Sequence, residues 1–165
     1  KNNKKKNNKK VHGNKNNPFI MLYNIAMQNG GNRIMKAAER FFSFLMGYFI
    51  YSLIEIAARG YTHWTMALTG GLVLSILYDI NSRNALTLVK SSIAGMVIIT
   101  FIEFAVGVAV NLIMKWHVWD YSDMPLNILG QICLPFSVLW FVLCIPAYYL
   151  CRIIRKRFCY YYSTK

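Results

Sequence analysis

The chain of 165 residues is 56% hydrophobic, yet it carries 19 Lys and Arg against 6 Asp and Glu, a formal charge of +13. Apolar residues gathered into runs long enough to cross a bilayer exclude an ordinary water-soluble domain. The positive charge sits at the ends and in short connections, which speaks against a nucleic-acid partner and for the flanks of membrane spans facing anionic lipid.

Residues 1–17 contain seven Lys and seven Asn, a low-complexity composition that predicts a disordered tail. The apolar stretch after it, Pro18 to Met27, is short and lacks a small-residue cleavage site, so it does not read as a signal peptide. Residues 18–40 are expected to form an interfacial, juxtamembrane segment, with a short amphipathic helix over Pro18–Gln28 and a break at Gly30 and Gly31. A transmembrane domain is expected over 41–151, followed by a basic, aromatic tail over 152–165.

Four apolar segments follow in that domain: Phe41–Ala58, His63–Ile80, Ser91–Met114 and Asn127–Leu150. Each is near the length that about 30 Å of hydrocarbon demands. The predicted fold class is therefore all-α: a polytopic membrane protein built as a four-transmembrane-helix bundle. Seventeen of the 19 Lys and Arg precede the first segment, flank the second connection or follow the fourth, leaving Arg59 and Lys115 for the other two loops. Because retained cytoplasmic segments collect positive charge, both termini are expected in the cytoplasm. Tyr61, Trp64, Trp116, Trp119 and Tyr121 suit the opposite headgroup layer.

In the first segment Glu55 stands four residues before Arg59, the spacing and order of a helical ion pair. In the second, Asp79 is placed to pair with Arg83, and Ala67, Gly70 and Gly71 form a small-residue patch where another helix can approach closely. The third segment holds one charge, Glu103, at position 13 of a 24-residue run, which puts a carboxyl near the bilayer midplane. Such a group is expensive there, on the order of 3 kcal/mol, and is kept where it is paired or functional. Thr100, Gly107 and Asn111 continue its face as a small, polar stripe. The pentapeptides Leu53–Ala57 and Phe101–Ala105 match in pattern, which hints at a duplicated hairpin relating Glu55 to Glu103.

The outer connection Lys115–Asn127 is dense in functional side chains. Ser122 or Asp123 can cap the fourth helix, with Pro125 in its first turn. His117 and Asp120, with His63 from the other outer loop and with Asp123 and Asn127 nearby, suggest a polar cluster above Glu55. A metal there is left open, since the spacing matches no ligand signature. Asn127, Gln131 and Ser137 give the fourth helix polar atoms, and Pro135 and Pro146 fall inside it as kinks. Cys133, Cys144 and Cys151 share one face and read as core packing.

The segments Arg59–Met66, Trp119–Asn127, Gly130–Cys133 and Ser137–Trp140 resemble a family of small bacterial membrane proteins described as ABC transporter permeases, the type IV, CmpB-like group. That resemblance, which covers about Phe41 to Arg152, implies a transport role in the bacterial inner membrane. The sequence holds no GxxxxGK[ST] phosphate loop, so ATP-driven transport requires a separate nucleotide-binding ATPase subunit, and four helices are few for a pathway without a homodimer or larger complex. The leading expectation is a permease-like subunit without a cofactor, in which Glu103 and Glu55, with Thr100, Asn111 and Gln131, line a polar pathway. A scaffold in which buried Glu residues hold helices together is the alternative. An intramembrane lipid-acting enzyme ranks last, because no nucleophile motif is present and no catalytic residue can be named.

Overall fold

The computed structural model describes the backbone of residues 18–82 and 86–163 and the side chains of 33–82 and 86–159. The Lys/Asn-rich tail, Arg83 and the last two residues lie outside the described residues. The chain divides into two units, Lys1–Lys36 and Ala37–Lys165. In the first, the described backbone is helical from Pro18 onward; it opens α1, Pro18–Arg59, which runs without interruption through Gly30 and Gly31. The expected break is therefore absent. Two glycines weaken a helix by about 1 kcal/mol each, too little to end one so long.

The second unit carries the rest of α1 and then α2 (Trp64–Asn81), α3 (Leu88–Gly107) and α4 (Leu134–Ser163). No strand occurs among the described residues, only an isolated bridge between Ile128 and Ile132. Among the described residues three stretches, Arg33–Arg59, Leu88–Ile113 and Leu134–Cys159, are long and apolar enough to cross a membrane. The 18-residue α2 is shorter, about 27 Å at the helical rise, and nine of its residues are buried. Around the bundle, Phe49, Leu53, Phe101, Ile113, Val142 and Ile153 are all more than half exposed. An exterior this apolar over several helices fits a lipid solvent.

Small residues bring α1 onto α2. A Cβ on Gly70 would overlap the Tyr51 side chain, and one on Gly47 would overlap the Gly70 backbone, so the expected close approach is realised by Gly47 and Gly70 together. Below that contact, Leu74, Leu77, Tyr78, Ile99, Trp140, Cys144 and Cys151 form one buried cluster, and Met66, Val110, Val118 and Trp119 form another toward the outer loop. Cys133, Cys144 and Cys151 are buried and Cys159 is exposed.

The fourth helix departs most from expectation. It starts at Leu134 rather than Asn127 and extends to Ser163, so the basic, aromatic tail is its last part. Residues 115–133 form an irregular loop because local polar bonds outcompete the helix. Asn127 Nδ2 donates to the Ser122 and Met124 carbonyls, both at 2.9 Å, and Asn127 Oδ1 accepts from Gly130 N at 3.2 Å. Leu126, Leu129 and Gly130 adopt positive φ, which no right-handed helix contains. Asp123 and Ser122 therefore cap no helix. Pro135 falls in the first turn of α4, where its missing N–H costs nothing, instead of kinking a span; Pro146 remains inside the helix as expected.

Beyond Gly107 the third helix widens into a π-helical turn, Val108–Ile113. Asn111 lies in that turn, and its side chain serves the outer loop: Oδ1 accepts from Val118 N at 2.7 Å while Nδ2 donates to the Trp119 carbonyl at 2.9 Å and to Gln131 Oε1 at 2.8 Å. The looser turn aims this one amide at three partners, a common use of π-helical geometry.

Candidate functional site: a carboxylate in an apolar cavity

Glu103 is 4% exposed and turned into the bundle. Its Oε2 accepts from Trp140 Nε1 on α4 at 2.7 Å, and its Oε1 accepts from the Tyr121 hydroxyl at 3.2 Å. Tyr51 of α1 stacks on Trp140, with ring centroids 6.0 Å apart and planes 25° from parallel. The carboxyl is thus held by donors on neighbouring elements. The burial of Tyr121 and its contact with Glu103 push its hydroxyl above the usual tyrosine range, so it remains a donor at all ordinary pH.

Glu103, Trp140 and Tyr51 form part of the wall of a cavity of about 280 Å³ bounded by all four helices. The rest of the wall is almost wholly apolar, with Leu74, Ile99 and Leu143 among its residues. Along α1 the wall runs from Gly47 to Ile54. Glu39 lies about two turns before that stretch and Glu55 immediately after it.

Glu55 is 6% exposed. It pairs with Arg59 as the spacing predicts and accepts from the Thr62 hydroxyl at 2.6 Å. Arg59 also reaches the Val118 carbonyl at 3.4 Å, tying α1 to the outer loop. The matching pentapeptides present the same residue inward: Leu53 and Phe101 are 66% and 71% exposed, whereas Glu55 and Glu103 are buried.

The other residues expected along a pathway are placed differently. Thr100 lines a separate pocket with Phe101 and Ser137, and its hydroxyl donates to Ser137 Oγ at 3.3 Å. Asn111 and Gln131 are buried in the π-turn network, where Gln131 Nε2 also donates to the Leu129 carbonyl at 2.9 Å and the Gln131 carbonyl accepts from Trp119 Nε1 at 2.9 Å. Gln131 therefore belongs to the loop and not to α4.

The outer polar residues spread out. His63 precedes α2 as its N-cap, its Nδ1 accepting from Thr65 N at 3.4 Å and lying 2.7 Å from the Thr65 hydroxyl, with the Trp64 and Trp116 rings beside it. His117 is exposed at φ 50°. Asp120 is exposed and accepts from Ser122 N at 2.9 Å and Ser122 Oγ at 2.5 Å, bonds that hold its carboxyl below the usual aspartate range. Asp123 is exposed, and Asn127 is engaged in the loop. Among the described residues no three His, Cys, Asp or Glu side chains gather as a metal site.

Sequence reasoning passed over a third buried carboxylate. Glu39 is 1% exposed; Arg155 Nη1 of α4 donates to its two oxygens at 2.6 and 2.7 Å, and the Tyr78 hydroxyl of α2 donates to Oε2 at 2.7 Å. A signal was present, since Glu39 is the single acid among the first 40 residues. Beside it Asp79 accepts from Arg40 Nε at 2.9 Å; its expected partner Arg83 lies outside the described residues. Trp140 and Tyr51 were also missed as partners of the Glu103 site, because an aromatic residue within an apolar run carries no periodic signature of its role.

A family model described as "Putative ABC-transporter type IV" matches residues 64–165, more than half of the chain. The matched region contains Glu103, Tyr121 and Trp140 and stops short of Tyr51 and Glu55. No curated protein and no solved structure matches the chain.

Proposed function

We propose that this chain, which belongs to the ABC-transporter type IV family, is a permease-like subunit of the bacterial inner membrane in which Glu103 marks the binding site for a transported molecule. The observation that supports this most is a buried carboxylate set in the wall of a cavity bounded by four helices. An acid retained at such depth in an apolar wall is a functional-site signal. In this reading all four helices span the bilayer, α2 included, with both termini in the cytoplasm, where the positive charge collects. The subunit carries out no reaction of its own. A separate nucleotide-binding ATPase drives it, and a second copy or further subunits complete the pathway.

Purification of the full chain from its native membranes is the direct test. ATPase activity that co-elutes with it is the expected result, and a chain recovered repeatedly without such activity overturns the permease reading. The hydrogen bonds from Trp140 and Tyr121 favour a second reading, a scaffold in which Glu103 joins α3 to α4 and the outer loop. Glu103→Gln separates the two. An amide keeps the acceptor oxygen and preserves a scaffold, whereas a binding site that needs a carboxylate is lost with full membrane insertion.

A further inference from the structure

The three buried glutamates among the described residues are not equivalent. Glu39 is paired with Arg155 and Glu55 with Arg59. Glu103 has only the neutral donors Trp140 and Tyr121, and no basic side chain among the described residues forms an ion pair with it. It is also the glutamate in the cavity wall. A carboxylate offers about four acceptor positions, and the two hydrogen bonds leave part of that capacity unused. Among the described residues the buried Glu39 and Glu55 are each matched by a guanidinium, whereas Glu103 has no such partner and borders the cavity.

We propose that the cavity takes a lipophilic organic ammonium, an N–H-bearing cation on an apolar body, with Glu103 as its counter-ion; this rests on the permease reading and names the class of molecule carried. The apolar wall suits the body of such a molecule, and the Trp140 and Tyr51 rings add π faces that favour a cation over a neutral group. At about 280 Å³ the space exceeds the roughly 150 Å³ cavity that holds benzene in an engineered protein core, so a compact cage or ring with a short amine fits. Ile54 in the wall is 42% exposed on the apolar exterior, which gives such a molecule an approach from the bilayer.

The test uses 1-adamantylamine and its neutral isostere 1-adamantanol, titrated calorimetrically into the full chain in phosphatidylcholine nanodiscs, with empty nanodiscs subtracted. Saturable binding of the amine, about tenfold or more tighter than the alcohol, is expected from one charge-assisted hydrogen bond. Glu103→Gln should remove that preference, and Ile50→Trp, which fills the cavity from its α1 side, should weaken both ligands. Equal affinity of the two for the wild-type chain overturns the cationic class while leaving the permease reading in place, since that reading fails on the absence of a co-eluting ATPase. Binding of neither, or amine binding untouched by Ile50→Trp, overturns the assignment of this cavity.

Discussion

Two ion pairs near the same end of the bundle show how burial sets the worth of a charge. Glu39 and Arg155 are 2% and 33% exposed at their side chains, and Tyr78 adds a third bond; Arg40 and Asp79 are 49% and 40% exposed. Removing one member of a buried pair strands the other, whereas an exposed pair is worth little. Glu39→Ala should therefore cost about 3 kcal/mol, read as a lowered midpoint of unfolding in detergent, and Asp79→Ala should cost less than about 1 kcal/mol. A reversed order would show that Glu39 is not desolvated in solution. Ser92 gives the opposite case. Its hydroxyl is fully buried with no hydrogen-bond partner among the described residues, so Ser92→Ala should be neutral or stabilising, because an unsatisfied polar atom is removed.

At the scale of elements, α2 and the outer loop illustrate what a sequence can and cannot disclose. The bounds of α2 and the Glu55–Arg59 pair were legible, since both depend on neighbours within a few residues. The start of α4 was not. Residues 127–133 are apolar enough to read as helix, but Asn127 and the positive-φ residues close a turn whose bonds form only when the chain folds back. The same holds for Asn111, whose partners lie at least seven residues away. Asn111→Leu should strand the Val118 N–H and the Trp119 carbonyl and cost about 2 kcal/mol or more. Faster proteolytic cleavage within 115–133 is the measurement, and an unchanged rate would remove the π-turn as the support of that loop. Pro135→Ala should alter the melting midpoint little, as expected of a proline in a first turn; a large loss would restore the view of Pro135 as a functional kink. Gly70→Leu, by contrast, should separate α1 from α2 and abolish the folded bundle, seen as loss of a monodisperse species in detergent.

For the whole molecule, the arrangement of charge predicts a topology that thiol labelling can check. Cys159 is exposed, whereas Cys133, Cys144 and Cys151 are buried, so one residue reports on one side. A membrane-impermeant maleimide should label inside-out vesicles and leave intact cells unlabelled, and the converse pattern would place the end of α4 outside. The apolar exterior and the helical class were plain from composition. The Glu39–Arg155 lock was not, because it joins positions 116 residues apart. The two glutamates of the buried glutamate–arginine pairs, Glu55 and Glu39, flank the stretch of α1 that lines the central space. A proposed guest that reaches the cavity past Ile54, which is 42% exposed on the apolar exterior, takes its route through the bilayer. Occupancy then follows the guest's concentration in oil rather than in buffer, and apparent potencies across a homologous series should rise with their oil–water partition coefficients until the chain outgrows the chamber.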